Sequence, residues 1–297
     1  MTNEFKSAFI AMVGRANVGK STLMNKITGE KISIISNKPQ TTRNKILSIL
    51  NEEDYQIIFV DTPGVHRSKT KLGDYMNNVA LGTIGEVDAA ILVVDAQKGF
   101  GIPETKITDE LKTKQIPTVL VINKIDLIKK EKILPLIADM SDKMEFEDII
   151  PVSAMHNDGV ETVKEEIMKF LIPGPAFYPQ DAITDKTERE IAAEIIREKL
   201  LRLLDEEIPH GTAVEVFQMK EKNKVVSISA NIYCEKASHK SIIIGKGGAM
   251  LKKIGSYARQ DLEEFLGKKV YLSLWVKVKD DWRNDNFTLK DFGFTDK

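Results

Sequence analysis

A run of residues near the start of the chain has the composition of a phosphate-binding loop. Residues 14–21 follow the pattern G-x-x-x-x-G-K-S. The glycines allow backbone N–H groups to point at phosphate oxygens, at the start of a helix whose dipole favours anions. We expect Lys20 to bridge the β- and γ-phosphates and Ser21 to ligate Mg²⁺. The residues assigned to this loop are Gly14, Arg15, Ala16, Asn17, Val18, Gly19, Lys20, Ser21 and Thr22.

A second run, Asn123-Lys124-Ile125-Asp126, has residue types that could select the base. Guanine presents an N1–H and a 2-amino group side by side, and one carboxylate can accept both hydrogen bonds. Adenine has an acceptor at N1 and no donor at C2, so a buried Asp126 would be left unpaired against it. An unpaired buried charge costs about 3–5 kcal/mol, which would exclude ATP. The two runs together predict a GTP site.

Two further segments could hold a metal ion and sense the γ-phosphate. Asp61 could bind Mg²⁺ through a water, and the Gly64 N–H could sense the γ-phosphate. In the loop from Pro39 to Arg43, either Thr41 or Thr42 could complete the Mg²⁺ shell, and we assign this role to Thr42. A simple turn stabilised by either hydroxyl is the alternative. The predicted site includes Asp61, Thr62, Pro63, Gly64 and Val65, and its predicted metal ligands are Ser21, Thr42 and Asp61.

A pair of small residues, Ser153 and Ala154, follows the last predicted strand of this region. The backbone N–H of Ala154 could donate to guanine O6. Two small residues after a strand are common, so the pair gains weight only from its position after the Asn123–Asp126 run.

Elements that would position these residues alternate between strand and helix from residue 6 to residue 170. Apolar stretches near 7–14, 45–50, 56–61, 89–95, 117–123 and 149–153 are typical of strands, and most are followed by polar residues. In open α/β folds, ligands bind at the carboxyl ends of such strands. The pattern predicts an α/β P-loop NTPase domain with a mostly parallel sheet covered by helices.

A proline-rich segment at 171–179 interrupts this alternation. We therefore place the first domain at 1–172, a linker at 173–180 and a second domain at 181–297. The second domain begins with a helix near 186–204 and continues in the order α-β-β-α-α-β. Its polar tail, 285–297, is predicted to be loosely held.

The second domain contains a stretch that could bind RNA. No acidic residue lies between Glu235 and Asp261, and the stretch centres on a G-x-x-G run at 245–248. Such a run between two helices lets a single strand approach the backbone closely; a solvated helix face is the alternative. The predicted RNA-binding residues are Lys240, Ile244, Gly245, Lys246, Gly247, Gly248, Lys252 and Lys253. Three apolar residues, Ile242, Ile243 and Leu251, are predicted to pack in the core, and Trp275 to be buried.

Composition narrows the class of protein further. The chain has 297 residues, 42% hydrophobic and 29% charged, which is typical of packed domains. Its formal net charge of −1 means that a nucleic-acid site must come from local patterning. A single cysteine, Cys234, argues against a disulfide framework, and we find no apolar run long enough to span a membrane. These features predict a cytoplasmic location.

The nucleotide motifs, in this order, resemble the Ras-like GTPase domain over residues 5–170, and the second half resembles a type II KH domain. The linker and the run Trp275-Val276-Lys277-Val278-Lys279 extend the resemblance to the bacterial Era family. It implies a GTPase that binds GTP and GDP, uses Mg²⁺, binds the 3′ end of 16S rRNA and acts in small ribosomal subunit assembly. It also implies an association with the inner membrane, which would be peripheral because the sequence has no anchor. We further expect a monomer.

Catalysis is assigned to Lys20, Thr42, Asn17 and Gly64, and one position departs from the Ras-like pattern. Val65 stands where Ras-like enzymes place a glutamine that positions water, and an apolar side chain cannot do this. A subset of GTPases uses an asparagine at the position of Asn17 to bind K⁺, so K⁺ is a candidate second cation. The alternative is that Asn17 only turns the backbone.

Two other functions are compatible with parts of this pattern. The chain could be an RNA-binding assembly chaperone that holds GTP as a structural ligand, which Val65 would permit. It could also be a GTPase that modifies tRNA or binds membranes. The second half has neither a catalytic constellation nor an apolar anchor, which disfavours the last function.

Overall fold

A computed structural model of the chain describes residues 4–36, 38 and 40–294. Pro39 and the last three residues of the predicted tail lie outside the described residues. The chain divides into two units. The first extends to Ile35 and continues with Thr42–Lys69 and Gly73–Asp185, and the second contains Ser36–Thr41, Thr70–Leu72 and the chain from Lys186 onward.

The first unit is built on a seven-stranded sheet. Its strands are β1 Lys6–Val13, β2 Ile46–Asn51, β3 Tyr55–Asp61, β4 Ala89–Asp95, β5 Thr118–Asn123, β6 Asp148–Val152 and β7 Ile172–Pro173. The order is β2-β3-β1-β4-β5-β6, and β7 pairs with β1. Only the β2–β3 and β1–β7 pairs are antiparallel, which confirms the predicted mostly parallel sheet.

Helices accompany both faces of this sheet. They are α1 Lys20–Thr28, α2 Lys71–Gly82, α3 Ile102–Lys114, α4 Ile133–Ser141 and α5 Val160–Ile167. Successive residues of β1 enter different cores: Ile10 and Met12 belong to one apolar cluster, and Ala11 and Val13 to another. Because side chains alternate along a strand, this division means that both faces of the sheet are buried.

The proline-rich segment differs from the predicted linker, because residues 173–185 belong to the first unit. They follow the outer strand β2 and its neighbour. The Ile49 N–H donates to the carbonyl of Ile183 at 2.9 Å, and the Gln56 amide donates to the carbonyl of Tyr178 at 2.9 Å. A sheet edge has unpaired backbone groups that need partners, and this segment supplies them.

The second unit has the predicted α-β-β-α-α-β order, followed by one more helix. Its elements are α6 Glu188–Leu203, β8 Ala213–Lys222, β9 Val225–Cys234, α7 Ala237–Ile244, α8 Ala249–Leu266, β10 Lys269–Val278 and α9 Asn286–Asp291. The sheet order is β10-β9-β8. Buried residues of α6 and α8, including Ile196 and Leu262, join Ile228 of β9 in one core.

Two predictions about the end of the chain are wrong. Trp282 is fully buried, and its indole N–H donates to the carbonyl of Gly211 at 2.9 Å. The rings of Phe292 and Phe294 lie 5.3 and 6.1 Å from it, so the predicted loose tail is anchored over its described part. Trp275, by contrast, is 48% exposed rather than buried.

Candidate nucleotide and RNA sites

The predicted phosphate-binding loop lies between β1 and α1, and space restricts two of its positions to glycine. A Cβ on Gly14 would lie 2.4 Å from the carbonyl oxygen of Val93. A Cβ on Gly19, whose φ is +101°, would lie 2.2 Å from the side-chain nitrogen of Asn123. The loop is thus enclosed by neighbouring strands as well as by its own turn.

Lys20 is the buried cation of this loop. Its Nζ donates to the carbonyls of Gly14 and Arg15, at 3.2 Å in each case. Burial lowers the pKa of Lys20 to about 8, although the nearby Asp61 carboxylate opposes the shift. A phosphate would supply the negative charge that this buried ammonium lacks.

The three predicted metal ligands converge on one point. The Ser21 hydroxyl donates to Oδ2 of Asp61 at 2.7 Å, the Thr42 hydroxyl donates to the same oxygen at 3.4 Å, and the two hydroxyl oxygens are 3.2 Å apart. Within the described part of the chain, the buried Oδ1 of Asp61 has no hydrogen-bond partner. Burial raises the pKa of Asp61. This cluster of hard oxygen atoms, with one unsatisfied, fits Mg²⁺.

The segment after β3 lies directly against the loop. A Cβ on Gly64 would lie 2.4 Å from Cα of Ala16, so only glycine allows this approach. The Val65 N–H donates to the carbonyl of Gly14 at 3.2 Å, and the Val65 side chain is buried in the apolar core. A buried valine side chain cannot orient an attacking water.

The Asn123–Asp126 run connects the base site to the phosphate loop. Asn123 donates to the carbonyl of Val18 at 2.8 Å, and Lys124 donates to the carbonyl of Asn17 at 2.6 Å. The Ala154 N–H, which was expected to reach guanine O6, donates to Oδ1 of Asn123 at 3.0 Å. If the Ala154 N–H donated to guanine O6, it would have to share its hydrogen bond with Asn123 or give that bond up.

The sequence-based argument assumed that Asp126 is buried, but in the structure it is exposed. The predicted penalty against adenine therefore applies only when a bound base covers the carboxylate. Ser153 orients it, with a hydroxyl that donates to Oδ1 of Asp126 at 2.5 Å. This role of Ser153 was not predicted.

Two buried carboxylates that support the site also escaped the sequence analysis. Asp95, at the end of β4, accepts a hydrogen bond from Lys124 at 2.8 Å. Glu104 of α3 is fully buried and binds the guanidinium of Arg15 through both oxygens. The position of Asp95 at the end of an apolar strand was the available signal, whereas Glu104 lies in a helix without a distinguishing motif.

The predicted RNA loop lies between α7 and α8 and is open. Gly247 and Gly248 have φ values of +60° and +82°, and a Cβ on either would meet no atom within 4 Å. Gly245 is tighter, because its Cβ would lie 2.8 Å from Met250. Of the predicted RNA-binding residues, Lys246, Gly247, Lys252 and Lys253 are exposed, and Lys240, Ile244, Gly245 and Gly248 are half-buried. Ile243 is buried as predicted, but Ile242 is 50% exposed.

Comparison with known proteins agrees with both halves of this description. Residues 9–124 match the family described as "50S ribosome-binding GTPase", and residues 207–283 match the KH domain family. The fold and the two sites thus define a GTPase that carries a type II KH domain.

Relatives that match nearly the whole length of the chain identify its family. GTPase Era from Ruminiclostridium cellulolyticum and from Clostridium botulinum (strain Okra) are each 51% identical over 291 residues, covering 98% of this chain and of each relative. The chain belongs to the GTPase Era family.

Solved structures extend the comparison to ligand-bound relatives. A variant of Aquifex aeolicus Era bound to GDP·AlF₄⁻ has a TM-score of 0.94 and 39% identity. Era in complex with MgGDPNP and nucleotides 1506–1542 of 16S ribosomal RNA also has a TM-score of 0.94, with 40% identity. Each alignment covers 98% of this chain and 99% of the other. No helix in the described residues is long and apolar enough to cross a membrane.

Proposed function

We propose that this GTPase binds the 3′-terminal segment of 16S rRNA through its 245–248 loop and acts in assembly of the small ribosomal subunit. The observation that carries the proposal is the presence, on one chain, of a base site built on Asp126 and an open G-x-x-G loop. The full-length likeness to Era bound to a 16S rRNA fragment supports the choice of RNA.

In the proposed site, Ser21, Thr42 and Asp61 would hold Mg²⁺. When bound, the ion supplies positive charge that neutralises the phosphate oxygens. Lys20 is already inside the loop and can turn from the carbonyls of Gly14 and Arg15 to phosphate oxygens. The Gly64 N–H, held against the loop by lack of space, senses the γ-phosphate.

Asn17 and K⁺ are the proposed replacement for the missing glutamine. Val65 is buried, so another group must assist hydrolysis. Asn17 has a φ of +66°, which asparagine adopts more readily than most residues, and this supports the alternative that it only turns the backbone. The variant Asn17→Gly keeps that backbone conformation and removes the side chain. Under the proposal, K⁺ accelerates hydrolysis over Na⁺ in the unmodified chain and not in the variant; equal rates in both salts would refute it.

We also propose that nucleotide state is coupled to the second unit through Thr41. The Arg197 guanidinium, on α6, donates to the carbonyls of Thr41 and Gln40 within the second unit. Thr42, the next residue, is a proposed metal ligand. Thr42 already lies beside Ser21 and Asp61, so a nucleotide state that moves Thr42 would also move the segment that Arg197 binds, and the coupling is reciprocal.

An assembly chaperone that uses GTP only as a structural ligand is the second candidate, and the burial of Val65 favours it. Asp126→Asn separates the two functions, because an amide no longer accepts both guanine donors but can donate to the C2 carbonyl of xanthine. Crosslinking to cellular RNA would be mapped for both proteins with GTP and with a non-hydrolysable analogue.

If GTP hydrolysis drives function, Asp126→Asn should release RNA abnormally with GTP. Its RNA release should become normal with xanthosine triphosphate. If RNA crosslinking is the same with every nucleotide for the unmodified chain and for Asp126→Asn, the result would favour the chaperone function. Absence of crosslinks to the 3′ end of 16S rRNA would refute the RNA proposal itself. We also propose that the protein is a monomer located in the cytoplasm and that it makes a peripheral membrane contact.

A further inference from the structure

The three-stranded sheet of the second unit has one face packed against helices and one face that carries exposed aromatic side chains. We call the latter the outer sheet face and define it by Phe217, Ser229, Asn231, Tyr271 and Trp275. Phe217 is 46% exposed, Tyr271 66% and Trp275 48%. Large aromatic surfaces exposed together on one face are characteristic of binding sites.

The rings are arranged around a polar floor. Those of Phe217 on β8 and Trp275 on β10 approach within 5.6 Å, at an interplanar angle of 50°. They meet across the central strand, where Asn231 pairs in register with Trp275 and Ser229 lies two residues away. Tyr271 is four residues from Trp275 on the same side of β10, a separation of about 13 Å along the strand.

Lysines border this face. Strand register places Lys277 two residues beyond Trp275 on β10, and pairs Lys220 of β8 with Ser227 of β9. The one acidic residue that the register places beside Asn231, Glu215, accepts hydrogen bonds from Tyr233 at 2.7 Å and from Asn231 at 3.1 Å. The face therefore presents aromatic rings bordered by lysines, with one exposed carboxylate, that of Glu215.

We propose that the outer sheet face binds unpaired RNA nucleotides, with bases stacked on Trp275 and Phe217 and phosphates beside the lysines. Single-stranded nucleic acid combines π faces with negative charge, which is the complement of this surface. An apolar protein partner would cover the half-buried Ser229 hydroxyl and the exposed Glu215 carboxylate without offering them hydrogen bonds, whereas the amino and hydroxyl groups of bases and riboses can supply them. This site goes beyond the proposed function, because its residues are separate from the 245–248 loop.

Intrinsic fluorescence gives a direct test. The chain has two tryptophans, and Trp282 is fully buried whereas Trp275 is half-exposed. Stacking of a base on Trp275 should quench emission when full-length protein is titrated with a mixed-sequence oligoribonucleotide of about 20 nucleotides. A tetranucleotide, which the G-x-x-G loop can bind alone, should quench little.

Affinity measurements then separate the two sites. The double variant Phe217→Ala, Trp275→Ala should bind the long RNA at least about 30-fold more weakly and the tetranucleotide with unchanged affinity, since stacking contributes roughly 1–3 kcal/mol per base and two stacking rings are removed. Trp275→Phe should retain most of the affinity. The control is Phe287→Ala, which removes a 71% exposed aromatic ring from α9, outside the defined face, and should change neither affinity. Melting temperatures would confirm that each variant is folded.

Gly247→Asp, which targets the loop, distinguishes failure of this inference from failure of the proposed function. It should weaken tetranucleotide binding about tenfold and leave quenching by the long RNA. Equal affinity of the unmodified chain and the double variant for the long RNA would overturn the inference. If the double variant no longer bound a ribosomal protein while its RNA affinity was unchanged, that result would also overturn the inference. It would assign the outer sheet face to a protein partner.

Discussion

The loop at 14–21 and the loop at 245–248 both combine glycines with a lysine before a helix, yet they differ in what surrounds them. In the first, a Cβ on Gly14 or Gly19 would overlap a neighbouring strand within 2.4 Å. In the second, a Cβ on Gly247 or Gly248 would meet nothing within 4 Å. The first loop thus requires glycine for both space and a positive φ, and the second requires it at Gly247 and Gly248 for a positive φ alone.

This difference matches the ligands that the two loops are proposed to bind. A nucleotide triphosphate is small and of fixed shape, so an enclosed loop with a buried Lys20 can surround it. An RNA strand continues beyond the loop in both directions, so its site must be open, with an exposed Lys246. The same residue types therefore serve either an enclosed or an open site, depending on the elements packed around them.

The largest expected effect tests the enclosed loop. Gly19→Ala places a methyl group on the Asn123 amide and forces a left-handed conformation, and overpacking combined with this strain predicts about 100-fold weaker GTP binding. Gly29→Ala is the matched control, because Gly29 ends the same helix at φ +75° with open space around it. Calorimetric titration with GTP measures both. Similar losses in the two variants would show that backbone conformation, and not space, is limiting.

A smaller effect is expected from the open loop. Gly247→Asp introduces a negative charge without a steric clash, and we expect tetranucleotide affinity to fall about tenfold because phosphate contacts are electrostatic. Gly267→Asp is matched to it, with φ +63° and open space at the other end of α8. Fluorescence anisotropy should show less than about a twofold change for this control. Equal losses would mean that net charge, and not the loop, determines binding.

Substitution of Arg197 should weaken the proposed coupling between the GTP site and RNA binding. Arg197→Ala removes the donor to the Thr41 carbonyl, and the change in GTP hydrolysis caused by RNA should shrink severalfold while basal hydrolysis is nearly constant. Arg189→Ala changes an exposed arginine on the same helix and is the control. Single-turnover hydrolysis with and without RNA provides the measurement. Undiminished RNA stimulation in Arg197→Ala would remove this residue from the coupling.

Sequence reasoning was most successful where the determinants are local. Strands β3, β4 and β5 lie within one residue of the bounds predicted from their apolar stretches, since each stretch ends at a polar residue next to it in sequence. The convergence of Ser21 and Asp61 also followed from the rule that strand ends share one edge of a sheet.

The failures concern tertiary partners. Trp275 and Trp282 have similar basic neighbours, but Trp282 is buried because it donates to the carbonyl of Gly211 and packs against Phe292. The prolines at 171–179 correctly indicated the end of a helix and gave no sign that the following residues pair with β2. Which surface covers a residue depends on elements far away in the chain.

The smallest expected effect concerns the pKa of a side chain in each unit. Burial lowers the pKa of Lys20, whereas the pKa of the partly exposed Tyr233 is raised. Burial and the hydrogen bond to Glu215 raise the pKa of Tyr233 to about 12. An unfolded tyrosine ionises near pH 10, so between these values the unfolded chain loses a proton that the folded chain keeps. The contribution is present below pH 10 and is lost as the pH rises to about 12.

Solvent screening limits that contribution to about 1 kcal/mol. Urea unfolding at pH about 9 and about 11 should therefore show a larger loss of stability in the unmodified chain than in Tyr233→Phe, which cannot ionise. Tyr271→Phe, which changes an exposed tyrosine on the same sheet, is the control and should behave like the unmodified chain. If Tyr233→Phe loses as much stability as the unmodified chain between the two pH values, then ionisation of Tyr233 does not cause the loss, and its hydrogen bond to Glu215 does not contribute to the pH dependence of stability.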